Sequence, residues 1–415
     1  MRELCVDIAV IGGGPAGLAA ALEAKRQGME KVLVIERDFQ LGGILPQCIH
    51  DGFGLHRFGE RLAGAEYAQR FIDEVAKTDI QVCLNTMVLE INGQKELYAC
   101  NSQDGILHVK CGAIILAMGC RERTGAQILL FGYRPSGVMT AGSVQRYINI
   151  EGYLPGKKAV ILGSGDIGLI MARRMTLEGI EVEGVYEVMK EPGGLTRNIV
   201  QCLEDYNIPL HLNHTVVRVH GKEALTAVTV AELDAERKPI PETERTIPCD
   251  LLVLAVGLIP ENELSVKAGV ELDPKTRGPV LDEEFMTEVP GIFACGNVSV
   301  VFDLVDYVSL SGEIAARGAA KYVREGYADT GHVPVEVKGN VNFAVPQRIR
   351  KGSDAKKVQF FLRVKHSQKG ARLNCLADGA EVKKRAFNRV VPPEMVSFEA
   401  ELHAADSVVL EVEEE

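Results

Sequence analysis

At 415 residues, with 46% apolar and 25% charged side chains, the chain has the composition of ordinary folded protein and length for more than one domain of about 150 residues. A net charge of −11 excludes a nucleic-acid groove, which needs clustered Lys and Arg, and disfavours anionic membrane surfaces. No apolar run reaches the roughly 18–20 residues of a membrane span, and the start of the chain lacks a basic stretch followed by an apolar core; the expectation is a soluble, cytoplasmic protein.

In chain order, Val6–Ile11 is predicted as a strand, Gly12-Gly13-Gly14-Pro15-Ala16-Gly17 as a turn, and the Ala/Leu-rich stretch to about Gln27 as a helix. The glycines serve different physical ends: Gly12 permits the tight turn, Gly14 admits a pyrophosphate to the backbone, and Gly17 lets helix and strand pack closely. The unsatisfied amides of the helix start face the phosphates. A second strand, Lys31–Ile35, delivers Glu36 24 positions after Gly12, where a carboxylate can accept hydrogen bonds from ribose hydroxyls. The strand Cys111–Gly119 is buried and ends in glycine. Gly119–Pro155 carries turn residues and one short helix near Ser143–Ile148, which suits a crossing between domains.

The device then recurs. Ala159–Leu162 leads into Gly163-Ser164-Gly165-Asp166-Ile167-Gly168, a helix to about Glu178, and a strand ending at Glu187, again 24 positions after the first glycine. One such fingerprint is weak evidence; two, each between strand and helix and each closed by an acid at the same offset, are strong. Cys249–Gly257 repeats the pattern of Cys111–Gly119, so one dinucleotide fold is used twice. The return crossing follows Pro260-Glu261-Asn262, and Gly291–Asn297 forms a late strand followed by a helix over Leu310–Arg324. From about Gly331, short β-type runs such as Val358–Val364 and Val408–Val412 alternate with turns, giving a small β-rich module. Ten cysteines are scattered without a Cys-x-x-Cys pair or metal-ligand spacing, so they read as small buried apolar residues and no metal site is expected.

Over roughly residues 1–330 these elements resemble the two-domain flavoproteins of the pyridine nucleotide-disulfide oxidoreductase superfamily. The resemblance implies an α/β fold of two Rossmann-like three-layer domains, the NAD(P)-binding one inserted in the FAD-binding one. Residues 1–123 and 263–330 would bind FAD, residues 124–262 would bind NAD(P)H and include the crossing linker, and residues 331–415 would form the small β-rich C-terminal domain. FAD would be held by Gly12, Gly14, Pro15, Ala16, Gly17, Glu36, Arg37, Gly42, Gly43, Gln47, Val88, Ala117, Met118, Gly119, Gly296 and Asn297. The nicotinamide cofactor would lie on Gly163, Gly165, Asp166, Ile167, Gly168, Glu187 and Gly257. Asn297 stands where the superfamily usually carries Asp; an amide still bonds a ribityl hydroxyl but removes a negative charge.

The late helix would point its N-terminus at the pyrimidine edge of the flavin, stabilising negative charge there by about 0.3–2 kcal/mol; the competing reading is an ordinary amphipathic surface helix. The loop Leu41–Asp51 occupies the place of a redox cysteine pair, but holds only Cys48. Disulfide exchange needs a second sulfur. Cys48 is therefore either a catalytic thiol cycling to a sulfenic acid, its pKa lowered by His50, or a passive loop residue, and His50 and Asp51 either assist it or simply bond the turn. Glu187 favours NADH over NADPH by repelling a 2′-phosphate, with Lys190 nearby to soften the preference.

The loop Gly42–Gly54, Asn297, and a tail with Pro346-Gln347-Arg348 and Pro392-Pro393-Glu394-Met395 resemble a narrower group. These are NAD(P)/FAD-dependent proteins accompanying glycerol-3-phosphate or 2-hydroxy-acid dehydrogenase-like flavoproteins, with relatives among opine, proline and cyanide-forming dehydrogenase subunits. That resemblance implies a partner flavoprotein and a small cysteine-bearing protein, and leaves a homo-oligomer open. Three functions follow: hydride transfer between NADH and FAD with electrons passed to or from a partner, a self-contained NADH oxidase or peroxidase using Cys48, or a non-catalytic flavin-bearing scaffold subunit.

Overall fold

The computed structural model describes residues 2–352 and 355–414. The chain divides into two compact units, one of residues 1–46, 51–120 and 260–415, the other of residues 47–50 and 121–259. Among the described residues no helix is long and apolar enough to cross a membrane.

The first unit is built on the strand Arg2–Ile11, which pairs in parallel with Val32–Ile35 on one side and Gly105–Leu116 on the other. Ile8, Ala9 and Val10 are fully buried, as expected of a strand covered on both faces, which reads as a continuous apolar run. Gly105–Leu116 changes partner along its length. Its first half pairs antiparallel with Glu96–Asn101 and its last residues pair in parallel with Ile292–Ala294, which brings the late part of the chain into the sheet.

On this sheet the helix Pro15–Arg26 packs against the long helix Val305–Glu325. The approach is close: a Cβ on Gly312 would stand 2.2 Å from the Ala16 carbonyl oxygen, and Ala315, Ala316, Ala319 and Ala320 are fully buried beside it. The long helix begins five residues before the Leu310 expected from its apolar pattern. Its first turn is held by a tertiary contact that the pattern does not carry, since buried Asp306 accepts a hydrogen bond from the His56 amide at 3.1 Å. It is amphipathic, but its small-residue face is core rather than surface.

The second unit has a five-stranded parallel sheet in the order Val138–Thr140, Leu251–Leu254, Lys158–Leu162, Glu181–Glu187, Leu210–Leu212. The chain leaves Lys158–Leu162 toward Glu181–Glu187, while Leu251–Leu254 pairs with its other edge. Strand order therefore reverses between Lys158–Leu162 and Leu251–Leu254. In open α/β sheets such a reversal opens a crevice at the C-terminal ends of the strands, where ligands bind. A three-stranded antiparallel ribbon, His214–His220, Ala227–Glu232 and Arg245–Pro248, completes this unit.

The β-rich C-terminal module comprises a five-stranded and a three-stranded sheet. It belongs to the first unit because its apolar residues enter that core: Phe361 packs edge-on against Phe302 and Phe285 with ring centroids 5.1 and 6.4 Å away, and Val345 and Met395 join the same cluster. The seam is also ionic. Arg350 reaches Asp282 at 3.1 Å and also contacts Glu284, and Lys356 meets Glu283 at 2.8 Å.

Asp282 is fully buried, and burial pushes its carboxyl up to about 7, against the lowering effect of Arg350. A carboxyl raised in the folded state binds its proton more tightly there than in the unfolded chain, so this group withdraws stability as pH rises from about 4 to about 7. Asp282→Asn should abolish that component. Urea midpoints at about pH 5 and about pH 8 should fall more steeply for the wild type than for the variant; equal differences would refute the assignment.

Candidate functional site

In the first unit the glycine turn is closed by backbone. Gly12 has φ +108°, and a Cβ there would lie 2.4 Å from the Ala117 carbonyl oxygen; a Cβ on Gly17 would lie 1.9 Å from the Gly12 oxygen. Packing alone therefore demands glycine at both positions. Gly14 differs: its nearest neighbour would be the Gly43 Cα at 3.7 Å, and its φ of −79° suits any residue. No packing among the described residues requires glycine there. The helix starting at Pro15 has no side-chain cap, and proline costs nothing at a first position that has no partner for its amide. Open space over Gly14 beside uncapped amides is the form of a phosphate cradle.

Several chain segments frame this cradle. Glu36 is buried, with Oε2 accepting from the Gly13 amide at 2.7 Å and Oε1 from the Asp38 amide at 2.8 Å. Each carboxylate oxygen keeps a second lone pair for a ribose hydroxyl. The Gly42 amide donates to the Gly13 oxygen at 2.8 Å, so Gly42 and Gly43 back the turn. Ala117 follows the strand end and Gly119 has open space around it, with Met118 between them partly buried. Gly296 has φ +68°, and a Cβ there would stand 2.7 Å from that of Ala16, which sets Asn297 close to the helix start. Asn297 Oδ1 accepts from the Phe302 amide at 3.1 Å, and its amide group points to the Cys120 sulfur at 3.6 Å.

The remaining expected flavin contacts differ in burial and partners. Arg37 is exposed. The Val88 side chain is part of the apolar core. Gln47 groups with the second unit, where its Nε2 donates to the Gly142 oxygen and to Gln145 Oε1, both at 2.9 Å. Cys48 donates to the same Gln145 Oε1 at 3.8 Å. Burial pushes its thiol up to about 12, the direction opposite to the lowering expected beside His50.

The second nest repeats the first. Gly163 has φ +102°, and a Cβ there would lie 2.2 Å from the Ala255 oxygen; a Cβ on Gly168 would lie 2.5 Å from the Gly163 oxygen. Gly165 again is open, its nearest neighbour 4.0 Å away, and the helix it precedes has no side-chain cap. Glu187 is buried; its Oε2 accepts from the Ser164 amide at 2.8 Å and hydroxyl at 2.6 Å, and its Oε1 from the Met189 amide at 2.9 Å. The Ser164 hydroxyl in turn accepts from the Gly193 amide at 2.8 Å. Sequence gives no sign of this bridging role, because Ser164 is a variable position of the fingerprint. Asp166 Oδ1 accepts from the Leu195 amide and Asn198 Nδ2 at 2.8 and 2.6 Å, pinning the loop beyond Glu187. Ile167 packs against the core of this unit. Gly257, with φ +103°, lies against the stem of Arg123, a residue with no sequence signal.

Two glycine nests with open centres, each closed by a buried acid, define a protein that binds two dinucleotides. The pyridine nucleotide-disulphide oxidoreductase family matches residues 6–317, and the chain belongs to that family as an FAD-dependent oxidoreductase. Hydrogen cyanide synthase subunit HcnB of Pseudomonas aeruginosa is 31% identical over 288 residues, covering 63% of this chain and 59% of that protein. An opine oxidase subunit of Agrobacterium tumefaciens is 25% identical over 333 residues, covering 75% of this chain and 65% of that protein. The chain thus spans less than two thirds of these relatives' own length. Thioredoxin reductase of T. acidophilum shares the fold, with TM-score 0.62 and 24% identity over 77% of this chain and 99% of that one.

The open middle glycine gives a clean test. Gly14→Ala should leave the melting temperature of the apoprotein unchanged while sharply lowering FAD retention on desalting, and Gly12→Ala should destabilise the fold, overpacking costing about 1–3 kcal/mol. Full FAD retention by Gly14→Ala would show that the cradle is not where the phosphates sit.

Proposed function

We propose that the chain passes hydride between NADH and FAD and exchanges electrons with a partner flavoprotein dehydrogenase. The observation that carries this reading is the pair of middle glycines, Gly14 and Gly165, that no protein packing requires. Bound FAD would supply the redox chemistry. The chain's own residues bind and orient: Gly12, Gly14, Pro15, Ala16, Gly17, Glu36, Gly42, Gly43, Gly119, Gly296 and Asn297 around FAD, and Gly163, Gly165, Gly168, Glu187 and Gly257 around the nicotinamide nucleotide.

Glu187 supports NADH over NADPH. Its buried carboxylate is held in place by three donated hydrogen bonds, so it cannot swing aside from a 2′-phosphate, and Lys190, exposed on the same loop, does not replace it. The partner is supported by relatives that are themselves named as subunits; a dehydrogenase-like flavoprotein of the glycerol-3-phosphate or 2-hydroxy-acid type fits this role. Cys48, buried, its thiol pushed up by that burial and turned to Gln145, serves as a structural residue rather than a peroxide-reactive one.

Anaerobic mixing of the purified holoprotein should bleach the flavin band rapidly with NADH and much more slowly with NADPH. Glu187→Gln should narrow that gap, like-charge repulsion being worth up to several kcal/mol. Inertness toward both nucleotides would favour the scaffold reading, and peroxide-dependent turnover that disappears in Cys48→Ser would favour the peroxidase.

A further inference from the structure

Arg123 lies just after the end of the first unit, in the segment that opens the second. Its amide donates to the Gly257 oxygen at 3.0 Å, and its Cδ lies 3.5 Å from where a Gly257 Cβ would stand. The arginine stem is thus laid on the backbone just beyond the strand Leu251–Leu254. That strand ends level with the strand that carries the fingerprint, Leu254 pairing with Leu162, and Ala255 is the residue whose carbonyl closes on Gly163. Arg123 and Gly165 therefore belong to the two sides of the crevice where strand order reverses.

The Nε of Arg123 is unmatched: it is shut off from solvent and has no hydrogen-bond partner among the described residues. A buried cationic donor without an acceptor is costly, and native structures rarely keep one without a ligand, water or ion to meet it. By contrast, the acids of this nest are taken: Glu187 and Asp166 are both engaged by donors from their own loops. The direction of the missing acceptor follows from the sheet order. Glu187 lies on one side of the fingerprint strand and Gly257 on the other, so a dinucleotide with its adenosine ribose at Glu187 and its phosphates over Gly165 extends its nicotinamide half toward Gly257.

We propose that Arg123 grips the nicotinamide-side phosphate of the bound dinucleotide through charge-assisted hydrogen bonds from its guanidinium, whose Nε has no partner among the described residues. The proposal rests on the nucleotide reading of the second nest. Arg123 is a binding residue in this scheme, and its stem lies within ordinary contact distance of Gly257, where the left-handed backbone favours glycine.

The test uses ligands that do not reduce the flavin. Calorimetric titration of the oxidised holoprotein with NAD+, ADP-ribose and AMP separates the halves of the dinucleotide, since AMP lacks the second phosphate. Arg123→Gln should weaken NAD+ and ADP-ribose by about ten- to hundredfold, the span of one or two charge-assisted hydrogen bonds, while AMP affinity, flavin content and melting temperature stay unchanged. Arg123→Lys should recover part of the loss. Unchanged NAD+ affinity in Arg123→Gln, or AMP weakened as much as NAD+, overturns the proposal. A wild-type protein that binds none of the three overturns the nucleotide reading itself, and this proposal with it. If Arg123→Gln does not fold, Arg123→Lys decides by the same comparison of NAD+ with AMP.

Discussion

Gly12 and Ala117 approach so closely that no side chain fits between them, and Gly163 and Ala255 do the same in the second unit. This contact is between a turn and the end of the neighbouring strand. It joins two strands that are far apart in sequence, and it directs the following helix so that its uncapped amides converge on one point. The remaining features of each nest depend on it: the third glycine packs onto the oxygen of the first, the middle glycine is left facing open space, and the acid from the next strand braces the turn from behind. A helix N-terminus attracts anions through its free amides and dipole, but only this backbone contact fixes where the anion lies relative to the sheet.

The two acids illustrate how one residue type serves stability and recognition together. Glu36 and Glu187 each accept from the second residue of their own glycine turn, so each nest is braced before any ligand arrives. Pre-organisation of this kind lowers the cost of binding, because the groups that meet the ligand are ordered beforehand. The second nest is braced more heavily. Ser164 adds a hydroxyl between Glu187 and the Gly193 amide, and Asp166 ties down the loop that follows. The Glu187 carboxylate is therefore left little freedom to rearrange.

The family match ends at residue 317, yet the chain beyond it is no loose appendage. Phe361, Val345 and Met395 are part of the same apolar cluster as the sheet of the first unit, and Phe361 sits among Phe285, Phe302 and Tyr307. Tyr307 lies in the first turn of the long helix, so the module buttresses the helix that packs on the fingerprint helix. The ion pairs of Asp282, Glu283 and Glu284 with Arg350 and Lys356 close the rim of this seam.

What the sequence determined by itself was local and periodic: two strand–glycine turn–helix units, the acid closing each, and the β-rich tail. These are legible because backbone conformation and close packing restrict which residues can stand at Gly12, Gly17, Gly163 and Gly168, whatever else the chain does. Only tertiary structure decided which glycines are forced by packing and which are left open, since that depends on Ala117 and Ala255 arriving from distant strands. It also decided that Cys48 is buried, which pushes its thiol pKa up rather than down, because desolvation follows from packing and not from a neighbouring His50 in sequence. Ser164 and Arg123 escaped sequence reading for the same reason: a hydroxyl bridging an acid, and an arginine stem laid on Gly257, are meetings of chain segments that carry no periodicity of their own.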